Sequence, residues 1–275
     1  MSRFLDEMAR SSAERAANAA RFEPVGALER RARSCPPAPM LRLSPQGFDV
    51  IAEIKLRSPA AGVLGRSSDD WLSRAAAYAR AGAVAVSVLT EPSRFDGSLE
   101  HLRMAAATLA PLGVPAMRKD FLVDPYQILE ARAEGAGGVL VILRMLPRAQ
   151  ILELLEVAAD HGLFVLLEAF DSADLELAGE LLELRKGHAP PVLIGVNSRD
   201  LQTLEVVQER FAALAPRLPR AWPAVAESGV GTAAEAAAMR KLGYRLALIG
   251  TALMVHDDPP LLLKNIFAAT RTGSS

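Results

Sequence analysis

Eight short apolar segments, separated by helical patterns, limit the fold of this chain more than any other feature of its sequence. They lie at residues 50–54, 84–89, 115–117, 139–143, 164–167, 192–196, 224–226 and 246–249. Strands that alternate with helices predict parallel βαβ units. Nearly continuous apolar strands also predict a sheet that is buried on both faces. The pattern leaves two α/β architectures, a doubly wound sheet and a closed (βα)8 barrel.

Helix-start signals stand between these segments, at residues 68–71, 124–125, 146–147, 171–172 and 231–232. Each contains a residue that can cap a helix or a proline that fits its first turn. Before the first segment, Phe4, Leu5 and Met8 fall at helical spacing, and the proline-rich residues 35–39 then break the pattern. We therefore expect residues 1–47 to form an N-terminal helical extension, packed on a catalytic domain of residues 48–275.

Residues at the ends of the strands favour the barrel. Most of these ends carry an acid, a base or an amide, and the last carries a small turn. The residues are Glu53 with Lys55, Thr90 with Glu91, Lys119, Arg144, Glu168, Asn197 with Arg199, Glu227 with Ser228, and Gly250 with Thr251. In a closed barrel all eight ends face one mouth, whereas in an open sheet they lie along an edge. The sequence thus predicts a (βα)8 TIM barrel with an N-terminal helical extension, and we expect these residues to converge on one site.

Lys119 is the first candidate for chemistry. It lies in an Arg118-Lys119-Asp120 cluster just before the helix-start signal of Asp124, which is where such barrels keep catalytic groups. Glu53 and Lys55 lie two residues apart and therefore point to the same side of their strand. Two other interpretations stay open: a solvated cluster of charges, and a structural layer of ion pairs inside the barrel.

The last two strand ends are suited to a phosphate. Residues 228–232 and 250–252 are short turns of small residues, whose backbone N–H groups can approach an anion closely. Apolar and aromatic residues join the same mouth at Pro59, Phe95, Phe121, Leu140, Ile142 and Leu201. A phosphate clamp beside an aromatic slot is typical of a site for a small molecule that carries a phosphate and a ring.

Composition argues against several other classes of protein. A formal net charge of −1 gives no basic face for nucleic acid. The longest uncharged run, residues 104–117, is interrupted by prolines and is too short to span a membrane. The N-terminal residues lack the apolar core of a signal peptide, so we expect a cytoplasmic protein. One cysteine and four scattered histidines form no metal-ligand pattern.

Several motifs resemble those of the indole-3-glycerol phosphate synthase family, in order from residue 48 to about residue 254. They are Ile51-Ala52-Glu53-Ile54-Lys55 before Ser58-Pro59, Ser87-Val88-Leu89-Thr90-Glu91 before Phe95-Asp96-Gly97-Ser98, Arg118-Lys119-Asp120-Phe121 before Asp124-Pro125-Tyr126-Gln127, Leu167-Glu168, Ile194-Gly195-Val196-Asn197-Ser198-Arg199-Asp200-Leu201, Glu227-Ser228-Gly229 and Ile249-Gly250. The resemblance implies a cofactor-free enzyme of tryptophan biosynthesis. It would convert 1-(2-carboxyphenylamino)-1-deoxyribulose 5-phosphate into indole-3-glycerol phosphate, with loss of CO2 and water.

The same resemblance implies roles for individual residues. Lys119 would be the general acid that protonates the ribulose carbonyl, and Glu168 would transfer protons in the later dehydration. Lys55 would hold the substrate carboxylate or share the acid role, a choice that stays open. The residues that hold hydroxyls and lysines in place would be Glu53, Asn197 and Glu227. The substrate-binding residues would be Ser58, Pro59, Phe95, Phe121, Leu140, Ile142, Arg199, Leu201, Ser228, Gly229, Gly250 and Thr251. We expect this small molecule as the only partner, and a monomer or weak homodimer.

Three positions depart from the usual pattern of the family. These are Ala60-Ala61 where serine and a basic residue are usual, Arg144 where a small or apolar residue is typical, and Ala169-Phe170 where valine and histidine are common. None replaces a proposed catalytic group, but they leave a specialised indole pathway open. The competing interpretations are a related sugar-phosphate barrel, such as a phosphoribosylanthranilate isomerase, and a non-catalytic barrel that binds phosphate ligands.

Overall fold

The computed structural model describes residues 3–45, 47–58, 62–63, 70–185, 191–201 and 203–271. Within these ranges the chain forms ten β-strands and twelve α-helices. The strands are β1 (Asp49–Ile54), β2 (Arg57–Ser58), β3 (Gly62–Val63), β4 (Ala85–Leu89), β5 (Ala116–Lys119), β6 (Gly138–Ile142), β7 (Phe164–Ala169), β8 (Val192–Asn197), β9 (Ala224–Glu227) and β10 (Leu246–Ile249). The helices are α1 (Arg3–Phe22), α2 (Val25–Ser34), α3 (Trp71–Arg80), α4 (Pro92–Phe95), α5 (Leu99–Leu109), α6 (Pro125–Ala133), α7 (Arg148–Asp160), α8 (Ser172–Leu184), α9 (Glu209–Leu214), α10 (Ala233–Lys241), α11 (Thr251–Val255) and α12 (Pro259–Arg271).

Eight of the strands close into a barrel. The order around it is β1, β4, β5, β6, β7, β8, β9, β10 and back to β1, and all its strand pairs are parallel. Strands β2 and β3 form a separate antiparallel ribbon in the segment that follows β1. The predicted (βα)8 barrel is therefore confirmed, and so are helices ahead of its first strand. The boundary between residues 47 and 48 stays a prediction.

The predicted strands coincide with the barrel strands. Four of them end later than expected, β5 and β7 by two residues, at Lys119 and Ala169, and β8 and β9 by one residue, at Asn197 and Glu227. Leu89 of β4 pairs with Lys119, and Ile142 of β6 pairs with Glu168. Both charged residues therefore belong to the ladder of the sheet. Because this ladder fixes the backbone of Lys119 and Glu168, it also fixes the direction in which their side chains point.

Alternate residues of each barrel strand face opposite sides, as the two-residue period of a strand requires. The inward-facing residues form one buried apolar cluster, to which Ile51, Met117, Leu166 and Val225 belong. Residues of the other parity, such as Ala52, pack with the helices in a second cluster. Charged residues of the inward parity follow the inner cluster at the carboxyl ends of the strands.

Helices α1 and α2, which precede the first barrel strand in the sequence, pack on the barrel. Leu5 and Met8 of α1 join the inner cluster. Leu28 and Ala32 of α2 pack with Tyr126 of α6 in a third cluster. Among the described residues, no helix combines the length and the apolar character that crossing a membrane requires.

Capping residues begin the helices where the sequence predicts them. Side chains of Asp70, Asp124, Asp171 and Thr232 accept backbone N–H groups of the first turns of their helices. Before α7 the N-cap position is Pro147, which has no side-chain hydrogen bond. The capping box of Asp124 is complete, because the side chain of Gln127 accepts the backbone N–H of Asp124. It fixes the turn that directly follows the Lys119 segment.

Candidate active site

A cavity of about 580 Å³ opens at the carboxyl ends of the barrel strands. Sixteen of the predicted site residues line it, namely Glu53, Lys55, Phe95, Lys119, Phe121, Leu140, Ile142, Glu168, Asn197, Arg199, Leu201, Glu227, Ser228, Gly229, Gly250 and Thr251. Of the remaining two, the backbone of Ser58 ends β2, and Pro59 lies outside the described residues. The structure therefore brings these residues to one place, while their chemical roles stay predictions.

Lys119 lies between two carboxylates. Its Nζ is 3.2 Å from Oε2 of Glu168 and 3.1 Å from Oε2 of Glu227. Both glutamates are buried. These side chains come from β5, β7 and β9, which are every second strand of the barrel. Since alternate strands supply the layers of four side chains inside such a barrel, they form one layer together with Glu53 of β1.

Lys55 forms a second ion pair in the cavity. Its Nζ lies 2.9 Å from Oε1 of Glu53, and only 13% of its side chain is exposed. Both side chains line the cavity, as their spacing of two residues predicts. The charged layer therefore contains two lysines and three glutamates, and each lysine is paired.

The carboxylates around Lys119 change its affinity for a proton. Burial alone would lower the pKa of Lys119, but the charges of Glu227, Glu168 and Glu53 outweigh burial and raise that pKa above its usual value. A lysine is a more effective acid near neutral pH when its pKa is lowered from the usual value. The structure shows the opposite direction, because three carboxylates face one ammonium group.

Glu227 is affected in the complementary way. Burial raises the pKa of Glu227 to about 8, because the attraction of Lys119 offsets only part of the burial and the charge of Glu168 adds to it. Its Oε1 is buried and has no hydrogen-bond partner among the described residues. Burial thus favours the protonated form of Glu227, while the neighbouring carboxylates favour the charged form of Lys119.

Two glycines make room for the glutamates. A Cβ atom on Gly195 would lie 1.9 Å from Oε1 of Glu227, and a Cβ atom on Gly250 would lie 2.3 Å from Oε1 of Glu53. Any side chain at either position would displace a carboxylate of the charged layer. The sequence assigns Gly250 to a phosphate and includes Gly195 in a family motif. It does not show that either glycine makes room for a carboxylate, since each requirement arises from a neighbouring strand.

The loop after β8 is held by its own polar groups. The backbone N–H of Arg199 donates to Oδ1 of Asn197 at 3.0 Å, and Nη1 of Arg199 donates to the carbonyl of Leu204 at 2.6 Å. Nη1 of Arg210 donates to the carbonyl of Asn197 at 2.8 Å. These bonds fix the two predicted polar residues and present Leu201 to the cavity. Arg210 is a supporting residue that the sequence analysis does not identify.

The turn after β9 allows a close approach to the backbone. Ser228 and Gly229 both have positive φ angles, of 63° and 79°. Glu235 of α10 accepts the backbone N–H groups of Gly231 at 2.8 Å and of Thr232 at 2.9 Å. Because these two donors are already used, the predicted anion site narrows to the backbone of residues 228–230 and 250–252.

Three aromatic rings form one wall of the cavity. The Phe121 ring centroid lies 5.7 Å from that of Phe4 and 6.3 Å from that of Phe95. Phe4 belongs to α1 and is absent from the predicted site. In the sequence it is one apolar residue of an amphipathic helix, and its contact with a distant strand end leaves no local signal.

Two polar residues that follow β4, Thr90 and Glu91, do not face the cavity. The expectation that the polar residues at all strand ends converge on one site is therefore wrong. The hydroxyl of Thr90 donates to Oδ2 of Asp120 at 2.7 Å. The Glu91 carboxylate accepts the backbone N–H groups of Ser93 and Arg94 and thereby caps α4. Both residues lie beyond the last residue of β4, where the alternation of the strand no longer determines direction.

Arg144 is the third exception. It pairs with Asp174 at 2.6 Å, and its Cζ lies 4.6 Å from the centroid of the Phe170 ring. Arg144 could either contact an anion in the cavity or point outward. It does not line the described part of the cavity, so the structure shows the outward position. Two departures from the family pattern, Arg144 and Phe170, are thus in contact with each other.

The charges beside Lys119 are buried. Arg118 and Asp120 are 1% and 2% exposed. Arg118 lies 3.3 Å from Asp120 and 3.0 Å from Glu130 of α6, on the side of the strand away from the cavity. The interpretation of this segment as a solvated cluster is therefore wrong.

The fold and the site together define an enzyme of the (βα)8-barrel class, with lysines and glutamates at the barrel mouth. A family model described as indole-3-glycerol phosphate synthase matches residues 6–266. An indole-3-glycerol phosphate synthase of Parafrankia sp. (strain EAN1pec) is 41% identical over 220 residues, covering 80% of this chain and 78% of the relative. One of Mycolicibacterium smegmatis is 39% identical over 244 residues, covering 88% and 85%. The chain belongs to the indole-3-glycerol phosphate synthase family.

Solved structures agree on the fold. A 3-hexulose-6-phosphate synthase from Salmonella typhimurium superposes with a TM-score of 0.58 at 12% identity, over 80% of this chain and 97% of that chain. An orotidine 5'-phosphate decarboxylase from Pyrococcus horikoshii OT3 gives 0.56 at 14% identity, over 82% and 100%. At such low identity these similarities show the barrel alone.

Proposed function

We propose that this cavity forms indole-3-glycerol phosphate from 1-(2-carboxyphenylamino)-1-deoxy-D-ribulose 5-phosphate, as a carboxy-lyase of tryptophan biosynthesis. The observation that carries the proposal is the Lys119 ammonium group, held between Glu168 and Glu227 in a cavity with an aromatic wall. Membership of the family supplies the reaction, and the geometry supports a role for each group.

The first step forms a carbon–carbon bond. The ring carbon that bears the carboxylate attacks the ketone carbon of the ribulose, and the ketone oxygen takes up a proton as it becomes a hydroxyl. Lys119 is the proposed donor because it lines the cavity and stays protonated at neutral pH. A raised pKa makes it a weak acid toward water, so transfer becomes favourable only as negative charge develops on the oxygen in the transition state.

The later steps remove CO2 and water. As CO2 leaves, the electrons of its bond neutralise the cationic ring-closed intermediate. The hydroxyl then takes up a proton and leaves as water, and the carbon beside the ring nitrogen loses a proton to a base, so that one proton is consumed and one is released. Glu168, which lies 3.2 Å from Nζ of Lys119, is the proposed group for proton transfer here. Glu227, whose pKa is raised by burial and whose Oε2 lies 3.1 Å from Nζ of Lys119, is the group we propose to return a proton to Lys119.

The two ends of the substrate fit opposite sides of the cavity. We place the phosphate against the backbone of residues 228–230 and 250–252, with Arg199 nearby, and the aromatic ring against Phe4, Phe95 and Phe121. Lys55 would hold the ring carboxylate or share the acid role. We further propose a monomer or weak homodimer.

A direct assay tests the proposal. Purified protein is incubated with the carboxyphenylamino-deoxyribulose phosphate, and formation of the indole is followed by fluorescence. Protein that forms no product above background would refute the proposed function.

The acid role is tested with Lys119→Met. We expect turnover to fall by at least about 100-fold, the usual scale for loss of a general acid, while calorimetry still detects binding of inorganic phosphate. Lys264→Met, at an exposed position of α12, is the control and should leave both measurements unchanged. Near-normal turnover in Lys119→Met would assign the acid role to Lys55 instead.

A further inference from the structure

Arg15 of α1 makes a two-point ion pair with Asp120. Its Nη1 lies 3.0 Å from Oδ2 and its Nη2 lies 2.7 Å from Oδ1. The Asp120 side chain is fully buried, whereas 28% of the Arg15 side chain is exposed. A guanidinium that meets both oxygens of a carboxylate fixes its orientation as well as its distance. Arg15 therefore determines how the Asp120 carboxylate is turned.

Asp120 stands in the chain between two residues of the cavity, Lys119 and Phe121. Its Oδ1 accepts the backbone N–H of Phe121 at 2.8 Å, and its Oδ2 accepts the hydroxyl of Thr90 at 2.7 Å. The carboxylate that Arg15 holds thus holds the backbone at the end of β5. A rotation of Asp120 would displace the neighbours on both sides of it.

Two more contacts join the same helix to the same segment. Nε2 of Gln127 donates to Oγ of Ser12 at 2.8 Å, and the Phe4 ring lies against the Phe121 ring. Ser12 and Arg15 are three residues apart, so they lie on one face of α1. This face contacts the strand end and the start of α6, the two sides of the turn that presents Phe121.

Arg118 does not duplicate Arg15. It lies 3.3 Å from Asp120, but it also pairs with Glu130 at 3.0 Å and donates to the carbonyl of Gln127 at 2.8 Å. Burial would raise the pKa of Asp120, and the bonds from Arg15 with the charge of Arg118 instead lower it to about 2. Without Arg15, the guanidinium of Arg118, which Glu130 shares, would be the remaining arginine paired with the buried Asp120 carboxylate.

We propose that Arg15 is a positioning residue, which places the Lys119 ammonium group and the Phe121 ring for the reaction by fixing Asp120. The inference rests on the proposed function of the cavity. It gives α1 a part in turnover, although Arg15 itself does not line the cavity and acts only through Asp120.

Hydrogen exchange of the substrate-free protein tests the positioning without relying on activity. In Arg15→Ala we expect the amides of residues 119–123, above all that of Phe121, to exchange at least about 10-fold faster, because local opening becomes easier. The matched control is Arg31→Ala, which removes ion pairs of α2 to Glu23 at 2.9 Å and Glu134 at 2.8 Å. It should leave residues 119–123 unchanged. Equal exchange in wild type and Arg15→Ala, or an equal increase in both variants, would overturn the proposal.

Kinetics supply the second readout. Arg15→Ala should lower kcat at least about 10-fold, since small misplacements of a catalytic group are costly, and should change KM by less than about threefold. Arg31→Ala should change neither constant. Arg15→Lys keeps the charge but loses the second hydrogen bond, so it should restore part of kcat. A purely structural role would instead lower the Tm of the Arg15 variants and leave their kcat unchanged.

Two further outcomes are informative. If Arg15→Ala does not fold, Arg15→Lys decides, and normal exchange together with normal kcat in that variant would overturn the proposal. If the wild type forms no product, the proposed function fails, whereas exchange still reports whether Arg15 orders residues 119–123.

Discussion

Replacing Gly195 with alanine tests whether the position of Glu227 matters for catalysis. The added Cβ would lie 1.9 Å from Oε1 and 3.0 Å from Cδ of Glu227, and 3.1 Å from Cδ1 of Leu166. Real Cβ atoms essentially never approach another heavy atom closer than 3.0 Å, so the oxygen must move by about 1.1 Å or more. The carboxylate is the far end of a flexible side chain, and it can move without its backbone.

The consequence for catalysis should exceed the consequence for stability. Oε2 of the same carboxylate lies 3.1 Å from Nζ of Lys119. We expect Oε2 to move together with Oε1, so that this contact lengthens beyond hydrogen-bond range. Misplacement by about 1 Å in a reacting constellation costs on the order of 100-fold in rate, so we expect kcat to fall by about that factor. Insertion of one methyl group that a side chain can evade should cost about 1 kcal/mol of unfolding free energy.

Gly179→Ala is the matched control. Gly179 lies in α8, and no described atom stands within 4 Å of its Cβ position. Alanine in a helix should stabilise the protein by about 0.5–1 kcal/mol and leave kcat unchanged. Indole fluorescence gives kcat, and urea unfolding gives the free energy of unfolding. A folded Gly195→Ala protein with wild-type turnover would show that catalysis does not depend on the position of Glu227.

Two predictions concern buried carboxylates that pair with arginines. The pKa of Asp120 is lowered from 3.8 to about 2, so its ionised form contributes about 2 kcal/mol to the free energy of unfolding. This contribution is complete above the unfolded pKa and is lost as the pH falls toward 2. In urea unfolding from about pH 5 downward, wild type should lose stability more steeply than Asp120→Asn, and parallel curves would contradict this. Arg144→Ala should cost about 2 kcal/mol, because the mostly buried Asp174 loses its partner, with kcat unchanged. The control is Arg148→Ala, which removes an exposed pair with Glu180 and should cost less than about 1 kcal/mol of unfolding free energy. A fall in the kcat of Arg144→Ala would refute the outward position of Arg144.

The sequence predicts those parts of the molecule that local periodicity controls. Barrel strands are buried on both faces, so each appears as an apolar run, and its two-residue period shows which residues point inward. Lys119 and Arg118 are neighbours of the same charge, yet only Lys119 has the parity of Met117 and faces the cavity. The same rule finds Glu168 and Glu227, which continue the inward parity of Leu166 and Val225.

Prediction fails where the strand ends or where contacts come from distant segments. Thr90 and Arg144 follow the last residue of their strands, and the path of the loop, which the period does not describe, sets their direction. Phe4 and Arg15 reach the site from α1, and Gly195 is required by a side chain on the next strand. Such requirements follow from the closure of the barrel and the docking of α1, which bring together residues far apart in the sequence.

The charged layer explains how one barrel holds three inward carboxylates. With full charges, Glu53, Glu168 and Glu227 would exceed Lys55 and Lys119 by one negative charge, in a layer that rests on the apolar inner cluster. A buried unpaired charge is costly, and such a group takes up a proton instead. Burial raises the pKa of Glu227, which favours a proton on this carboxyl group. A proton on Glu227 would remove the excess negative charge of this layer and so reduce its repulsion of a substrate that carries a phosphate and a carboxylate.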